Sequence, residues 1–577
     1  MRNRKGLVDH HTGVLVIATG GNICLTTVKA KGTEKLAQAS LDDIRRLVLG
    51  EPDADGLRLR EASVEGEELR LRFYDLRPPS AAMGDPEEQD SAQVKPELWS
   101  KIAVLINQEY RNYEGFVVLH GLDTMAYTAS ALSFMLGDLA KPVVVTGSQR
   151  PLSYRRTDAV QNTISAITCA GAHTLGIEPV VPEVTIYSHD SLFRGNRASM
   201  VSASSYRSFE TLNCPTLAVM GSTVDIQSHL LLDHRIGKRL NLRKDATAKV
   251  HIIDVFPGMD PRILRTILES NRELIERQGE NRGAARGSKE AANKTDATNK
   301  TDVTSKTDIA AVGEMGLWND TELTRGVLLR TYGLGTAPTR RGFLEAIEEL
   351  VESGVVIVNV TQARSGRITY SPDPLSLRLF EKGVVSGVDM TAEAAYAKMV
   401  TLLSRESNSR VVADRMQIEM CAEQSQSIFT VHFGPGETVK DEELPKPTAL
   451  LERMHEVTQR DLLDRGSRIH NIQLRVFGIT PEPKPKQPFS RIIEFDAYVV
   501  DREHEKPKIV ADLKREHTLA WNDRGRMPTI NVSFDITSSR DQLLSAGSML
   551  RFDSNEAIRW KHASVVVYAE IRHMLSS

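Results

Sequence analysis

The chain is 577 residues long, 40% hydrophobic and 26% charged, with a formal net charge of -3 at pH 7. That length exceeds one ordinary domain, so three or four units are expected. The near-neutral balance gives no bulk attraction to nucleic acid or to an anionic membrane surface, and neither is expected as a partner.

Residues 13–235 alternate short apolar runs with helical patterns. Val14–Thr19, Phe116–Leu119, Val143–Thr146 and Val184–Tyr187 are the clearest runs. Such alternation predicts a mostly parallel sheet wrapped by helices. Within it, the run Phe116–Leu119 enters the polar turn His120-Gly121-Leu122-Asp123-Thr124, and a helix follows. Strand, polar turn and helix N-terminus make the usual ligand-binding edge of an open α/β sheet. A strand at Val250–Val255 and a helix continue the pattern. Residues 278–312 then carry a six-residue repeat (Lys294-Thr295-Asp296, Lys300-Thr301-Asp302, Lys306-Thr307-Asp308) with almost no large apolar residue. Such a stretch cannot bury enough surface to offset its ordering entropy and is expected to be a disordered insertion. The folded pattern resumes at Gly326.

From residue 411 onward apolar and polar residues alternate: Met416, Ile418, Met420; Phe429, Val431, Phe433; Ile472, Leu474, Val476. Period two predicts half-buried antiparallel strands. Further strands are expected at Ile492–Val500, Thr529–Ile536 and Ser564–Ile571, with one helix at 445–463. Charged residues of mixed sign around 500–526 suggest exposed loops. Residues 410–577 are therefore expected to form a β-sandwich-like domain.

Seven collinear segments carry a resemblance. They are Val14 to Ile23, ending in a Thr19-Gly20-Gly21-Asn22 loop; Asp90-Ser91 before Pro96; His120 to Met125; Lys141 to Pro151; Leu192 to Arg197; Asn359 to Gln362; and Gly387 to Ala394. Over residues 13–405 the chain resembles the type I, cytoplasmic bacterial-type L-asparaginases. The resemblance implies an α/β fold with a large N-terminal lobe over 13–235 and a smaller lobe over 236–409. It also implies L-asparagine or L-aspartate as ligand, no cofactor, and a homo-oligomer.

In the family so resembled, a Thr ending the TGGT loop is the nucleophile. A second Thr, in HGTDT, works with a Lys around the acyl intermediate. The Asp beside that Thr binds the substrate's α-ammonium, and an Asp-Ser pair grips its α-carboxylate. Here the two threonine positions and the lysine position are Asn22, Leu122 and Met200. A carboxamide nitrogen is a poor nucleophile because its lone pair is delocalised. An alkyl chain offers no hydroxyl, and a thioether cannot move a proton. Losing members of such a unit removes many orders of magnitude of rate. The binding positions Gly20, Gly21, Asp90, Ser91 and Asp123 are kept. The expectation is an asparaginase-fold protein without amidohydrolase activity, acting as a scaffold or amino-acid-binding module. Its C-terminal β-domain would then contact a protein partner. The alternative is an active L-asparaginase with diverged chemistry, in which Thr19 or Thr124 supplies the hydroxyl.

His120 reads as a satisfied near-core histidine rather than a general base. Cys24, Cys169, Cys214 and Cys421 show no metal-binding spacing, so no metal and no disulfide scaffold are expected. No apolar run approaches the ~20 residues that span a bilayer. The N-terminal MRNRKGLVDHHTG lacks a signal-peptide core, so the cytosol is the expected compartment.

Overall fold

The computed structural model describes residues 13–30, 33–49, 69–77, 90–232, 240–290, 322–368, 374–433 and the strands of the C-terminal region from 436 to 570. The chain divides into two units: residues 1–416 with 420–424, and residues 417–419 with 425–577.

The first unit is built on an eight-stranded sheet. Its first strand, Val14–Ala18, lies one in from the edge of the sheet; it is all apolar and buried on both faces, as a parallel strand covered by helices on each side must be. It pairs in parallel with Leu71–Asp75 and with Gly115–Leu119. Val143–Thr146 and Val184–Ser188 extend the parallel run. Ser191–Arg194, Ala218–Met220 and Val224–Ile226 close that edge with antiparallel pairs. Helices α1 (Leu41–Leu49), α2 (Pro96–Glu109), α3 (Met125–Met135) and α4 (Ala159–Ala170) cover the faces. α2 and α3 pack on one apolar cluster with Leu15, Phe116 and Val145. α1 and α4 pack on the other with Val14, Val117 and Val144. Strand register sets how the loops emerge: Ala18 sits opposite Leu119, and Leu119 opposite Thr146. The loops after these three strands therefore leave the sheet side by side.

A smaller parallel sheet contains Lys249–Asp254, Thr324–Thr331, Val356–Thr361 and Val385–Ser386. The helix Ala392–Leu403 belongs to both lobes. Ala397 and Val400 join the large-lobe cluster, while Ala395, Met399 and Leu402 join the small-lobe one. Arg197 adds a polar tie: its Nη2 lies 3.0 Å from Asp389 Oδ2, and both side chains are buried. The α/β architecture expected from the sequence is the one observed.

Three expectations need correction. Met416 ends a helix, Ser409–Met416, and Met420 lies in a turn, so the alternation around Met416, Ile418 and Met420 is not a strand. Val412 and Met416 are four apart and bury one helical face in the small-lobe core. Second, α5 (Arg262–Glu290) runs into the stretch read as a disordered insertion. Extending a helix from an anchored start needs no new nucleus, and the Arg, Glu, Ala and Lys residues there tolerate it. Residues 291–312 of that stretch lie outside the described residues. Third, Lys508–Trp521, read as exposed loop, is a 14-residue strand paired antiparallel to Phe489–Asp501. Charges interrupt the eye there, but Ile509, Ala511 and Leu513, then Leu519 and Trp521, keep period two.

The second unit's described residues form antiparallel strands in sheets of four, three and three. Gln426–Phe433, Arg468–Phe477, Phe489–Asp501, Ile530–Asp535 and His562–Glu570 fall where strands were expected. The helix expected at 445–463 lies outside the described residues.

Residues 420–424 return to the first unit as a short strap. Glu423 is fully buried 2.5 Å from the equally buried Lys398 Nζ. Its carboxylate accepts the Met420 N–H at 3.0 Å and the Cys421 N–H at 2.8 Å. Lys398 Nζ also donates to Met416 O at 3.1 Å and Gln424 Oε1 at 3.3 Å. Burial opposes the charge on Glu423, but the Lys398 ammonium and these N–H groups outweigh it and hold the carboxyl below its ordinary range.

Glu423→Ala in the full chain takes the buried carboxylate at 2.5 Å away from the buried Lys398 ammonium, and is expected to destabilise the first unit by about 3–5 kcal/mol. Lys398→Met with Glu423→Leu is expected to cost much less, because neither charge is left behind. Urea unfolding of the first unit checks both. Because the folded pKa of Glu423 is depressed, its stabilisation is present above the unfolded value of ~4.3 and is lost as pH falls through the lower folded value.

Candidate functional site

The loops at the carboxyl edge of the large sheet meet through backbone. Gly20 and Gly21 have φ of 126° and 81°, a region open to glycine and strained for other residues. A Cβ on Gly21 would lie 2.3 Å from Gly121 Cα, and one on Gly121 would lie 2.6 Å from Ser91 Oγ. The three segments 20–22, 90–91 and 120–124 therefore converge. Asp90 caps the short turn Ser91–Gln93 by accepting the Ala92 N–H at 2.9 Å. Ser91 is buried, and its Oγ lies 3.4 Å from Asp123 Oδ2. Asp123 is exposed and has no ion-pair partner among the described residues.

The two threonine hydroxyls nearest this junction are both committed to main-chain carbonyls. Thr19 Oγ1 donates to Leu119 O at 2.8 Å. Thr124 Oγ1 does not cap α3; it donates to Ser91 O at 2.7 Å. A peptide carbonyl holds such a proton in place but is far too weak a base to remove it.

Asn22 is exposed at the start of the turn Asn22–Cys24. Its Nδ2 donates to Gln149 O at 3.1 Å, and Gln149 Nε2 donates to Ser208 Oγ at 2.9 Å. Leu122 is buried in the cluster beneath α2 and α3. A Cβ on Gly147 would lie 2.9 Å from its Cδ2, so Leu122 fills the space beside the 147–149 loop. Met200 ends the half-buried strand Ala198–Met200 and packs on the same cluster. Leu122 and Met200 thus pack on one apolar cluster, while Asn22 is exposed and its neighbours Ile23 and Cys24 pack on the other.

His120 is buried and fully hydrogen-bonded. Trp99 Nε1 donates to Thr128 Oγ1 at 3.0 Å, and Thr128 Oγ1 donates to His120 Nε2 at 2.9 Å. His120 Nδ1 in turn donates to Gly121 O at 2.8 Å. This chain of bonds selects the neutral Nδ1–H tautomer. Burial pushes the imidazole pKa down to about 4, with the Gly121 carbonyl offsetting only part of that. His120 orients the Gly121 turn and has no free nitrogen for a substrate. The Gln149–Ser208 link and the Trp99–Thr128 relay have no signature in the sequence. Gln149 lies in a matched segment, but nothing local marks Ser208 or Thr128.

Residues 13–232 match the family description "Asparaginase, N-terminal", and residues 249–416 match "Glutaminase/Asparaginase C-terminal domain". The chain is 31% identical over 327 residues to L-asparaginase 1 of Escherichia coli strain K12, covering 57% of this chain and 79% of that protein. It is also 31% identical over 316 residues to the 60 kDa lysophospholipase of Mus musculus, spanning 46% of that protein's length and 55% of its own. The thermostable L-asparaginase from Thermococcus kodakarensis superposes with a TM-score of 0.52 at 25% identity, covering 71% of this chain and 99% of that one. The chain belongs to the asparaginase family. Among the described residues, no helix is long and apolar enough to cross a membrane.

The buried imidazole should show itself in stability. Its folded pKa of about 4 lies below the unfolded value of 6.5. Between those values the unfolded chain binds the extra proton, so stability falls as pH drops from 6.5 towards 4, by on the order of 3 kcal/mol in full. Urea unfolding of the first unit at pH 7 and pH 5 should show this slope, and His120→Gln should flatten it.

Proposed function

We propose that this chain is a non-hydrolysing asparaginase-fold protein that binds a small amino acid, L-asparagine or L-aspartate, at the junction of the 20–22, 90–91 and 120–124 loops. One observation carries the reading: Asn22 supplies a carboxamide, Leu122 an alkyl chain and Met200 a thioether. None of these groups can attack a carbonyl or move a proton at neutral pH. The groups suited to binding are still grouped. Gly20 and Gly21 shape the turn, Asp123 offers an exposed carboxylate for an α-ammonium, and the Asp90-Ser91 turn presents main-chain N–H and hydroxyl groups to an α-carboxylate. The cytosol, self-association of the asparaginase-like unit and a protein partner for the C-terminal β unit belong to the same proposal.

The second reading is an active amidohydrolase using Thr19 or Thr124. The hydrogen bonds of both hydroxyls to peptide carbonyls weigh against it, since activation requires a nearby base that accepts the proton.

Ammonia release from L-asparagine by the purified protein tests the choice. The expected result is none above the uncatalysed background. Turnover in the ordinary enzymatic range of ~1–10³ s⁻¹ would establish the second reading. A chain carrying Asn22→Thr, Leu122→Thr and Met200→Lys together is expected to gain detectable ammonia release, because it returns the nucleophile, the second hydroxyl and the ammonium at once.

A further inference from the structure

The rim of the junction beyond Asn22 carries charge that a free amino acid does not use. Gln149, which accepts from Asn22, begins a loop containing Arg150, Arg155 and Arg156, and Ser208, which accepts from Gln149, follows Arg207. The two loops are tied together. Tyr206 Oη donates to Arg156 O at 2.6 Å across them, and within the second loop Ser208 Oγ donates to Ser205 O at 2.7 Å. The hairpin Leu25–Ala30 with Thr33–Gln38 also holds the first of these loops. Leu152 N donates to Leu25 O, and Thr27 N donates to Ser153 Oγ, both at 2.9 Å. Two guanidinium groups rest on aromatic faces: Arg150 on Tyr154 at 5.5 Å from the ring centroid, and Arg156 on Tyr206 at 5.9 Å. A stacked guanidinium keeps its N–H edges for an oxyanion while losing little further freedom on binding.

Acidic groups on these loops leave most of that charge uncompensated. Asp158 is spent on the N–H groups of Gln149 and Arg150. Glu210 stands 3.7 Å from Arg207. Among the described residues Arg150, Arg155 and Arg156 have no ion-pair partner, and all three are exposed. The contacts thus run from the segments carrying Asp90 and Asp123, through the Gly21-Asn22 turn, to the loop that carries the arginines.

We propose that this mouth takes the free N-terminus of an acidic peptide segment from a partner protein, with its α-ammonium at Asp123 and its following carboxylates on the arginine rim. The proposal rests on the amino-acid-binding reading of the junction and extends it outward. A single amino acid places its ammonium and carboxylate two bonds apart and leaves the rim unused. A nucleic-acid strand would neutralise the rim but bring its phosphates against Asp90 and Asp123, which repel them. A peptide that starts with an ammonium and continues with carboxylates satisfies both sets of charges.

Fluorescence anisotropy on the full chain tests this with a C-terminally labelled peptide of one asparagine followed by four glutamates. The same peptide with an acetylated N-terminus, its glutamine counterpart and a single-stranded RNA oligonucleotide serve as comparisons. Binding of unlabelled L-aspartate is read in parallel by calorimetry. The acidic peptide is expected to bind more tightly than L-aspartate and to weaken as salt is raised, because exposed charges are screened. Acetylation and glutamine replacement should each weaken it. Arg150→Glu with Arg155→Glu should lower peptide affinity about tenfold or more while leaving L-aspartate binding unchanged. An unaltered peptide affinity in that variant, or tighter binding of the RNA, overturns the proposal. Binding of L-aspartate without the peptide overturns the rim proposal alone and leaves the amino-acid site standing. If neither binds, both fall.

Discussion

Gly21 and Gly121 meet with no room for a side chain between them, and the candidate site depends on that contact. It requires the register that sets Ala18 opposite Leu119, so that the two loops leave the sheet level with each other. It requires the positive φ at Gly20 and Gly21, which lets the first loop turn back across the second. It also requires Ser91 to close over Gly121. A Cβ at Gly21 would run into the backbone of Gly121, and one at Gly121 into the buried Ser91 side chain, so either would part the segments that make the site.

The same contact holds the geometry independently of residues 22, 122 and 200. Shape here is held by backbone, by the buried Trp99–Thr128–His120 relay and by the buried pairs Arg197–Asp389 and Lys398–Glu423. None of these involves Asn22, Leu122 or Met200. Substitution at those three positions leaves these frame contacts in place. Leu122 and Met200 add apolar contacts to a cluster that already exists. Removing one member of a buried ion pair would instead take the charged partner from a group in the core, which is far more costly.

Much of this is legible in the sequence because it is local. Phe116–Leu119, the turn through Thr124 and the helix after it are contiguous, and their apolar periodicity and glycine placement point to one edge of a parallel sheet. His120 reads as a core histidine and sits buried as one. What stays hidden is non-local or ambiguous. The partner of Asn22 lies 127 residues away at Gln149, and Ser208 carries no local mark. The strap 420–424 resembles the start of a strand region because Met416, Ile418 and Met420 alternate. In three dimensions Met416 closes a helix, and Glu423 is drawn back to Lys398 by charge. Lys508–Trp521 escapes notice because its charges hide an intact period of two.

The central claim is that the asparaginase-family frame here holds a ligand without cleaving it. The most direct measurement is a nuclear magnetic resonance spectrum of L-asparagine labelled with ¹⁵N at its side-chain amide, incubated with a stoichiometric amount of the full chain. The account predicts a broadened or shifted amide signal that keeps its full intensity, with no ¹⁵N-ammonium appearing. Growth of the ammonium signal at the expense of the amide would contradict it.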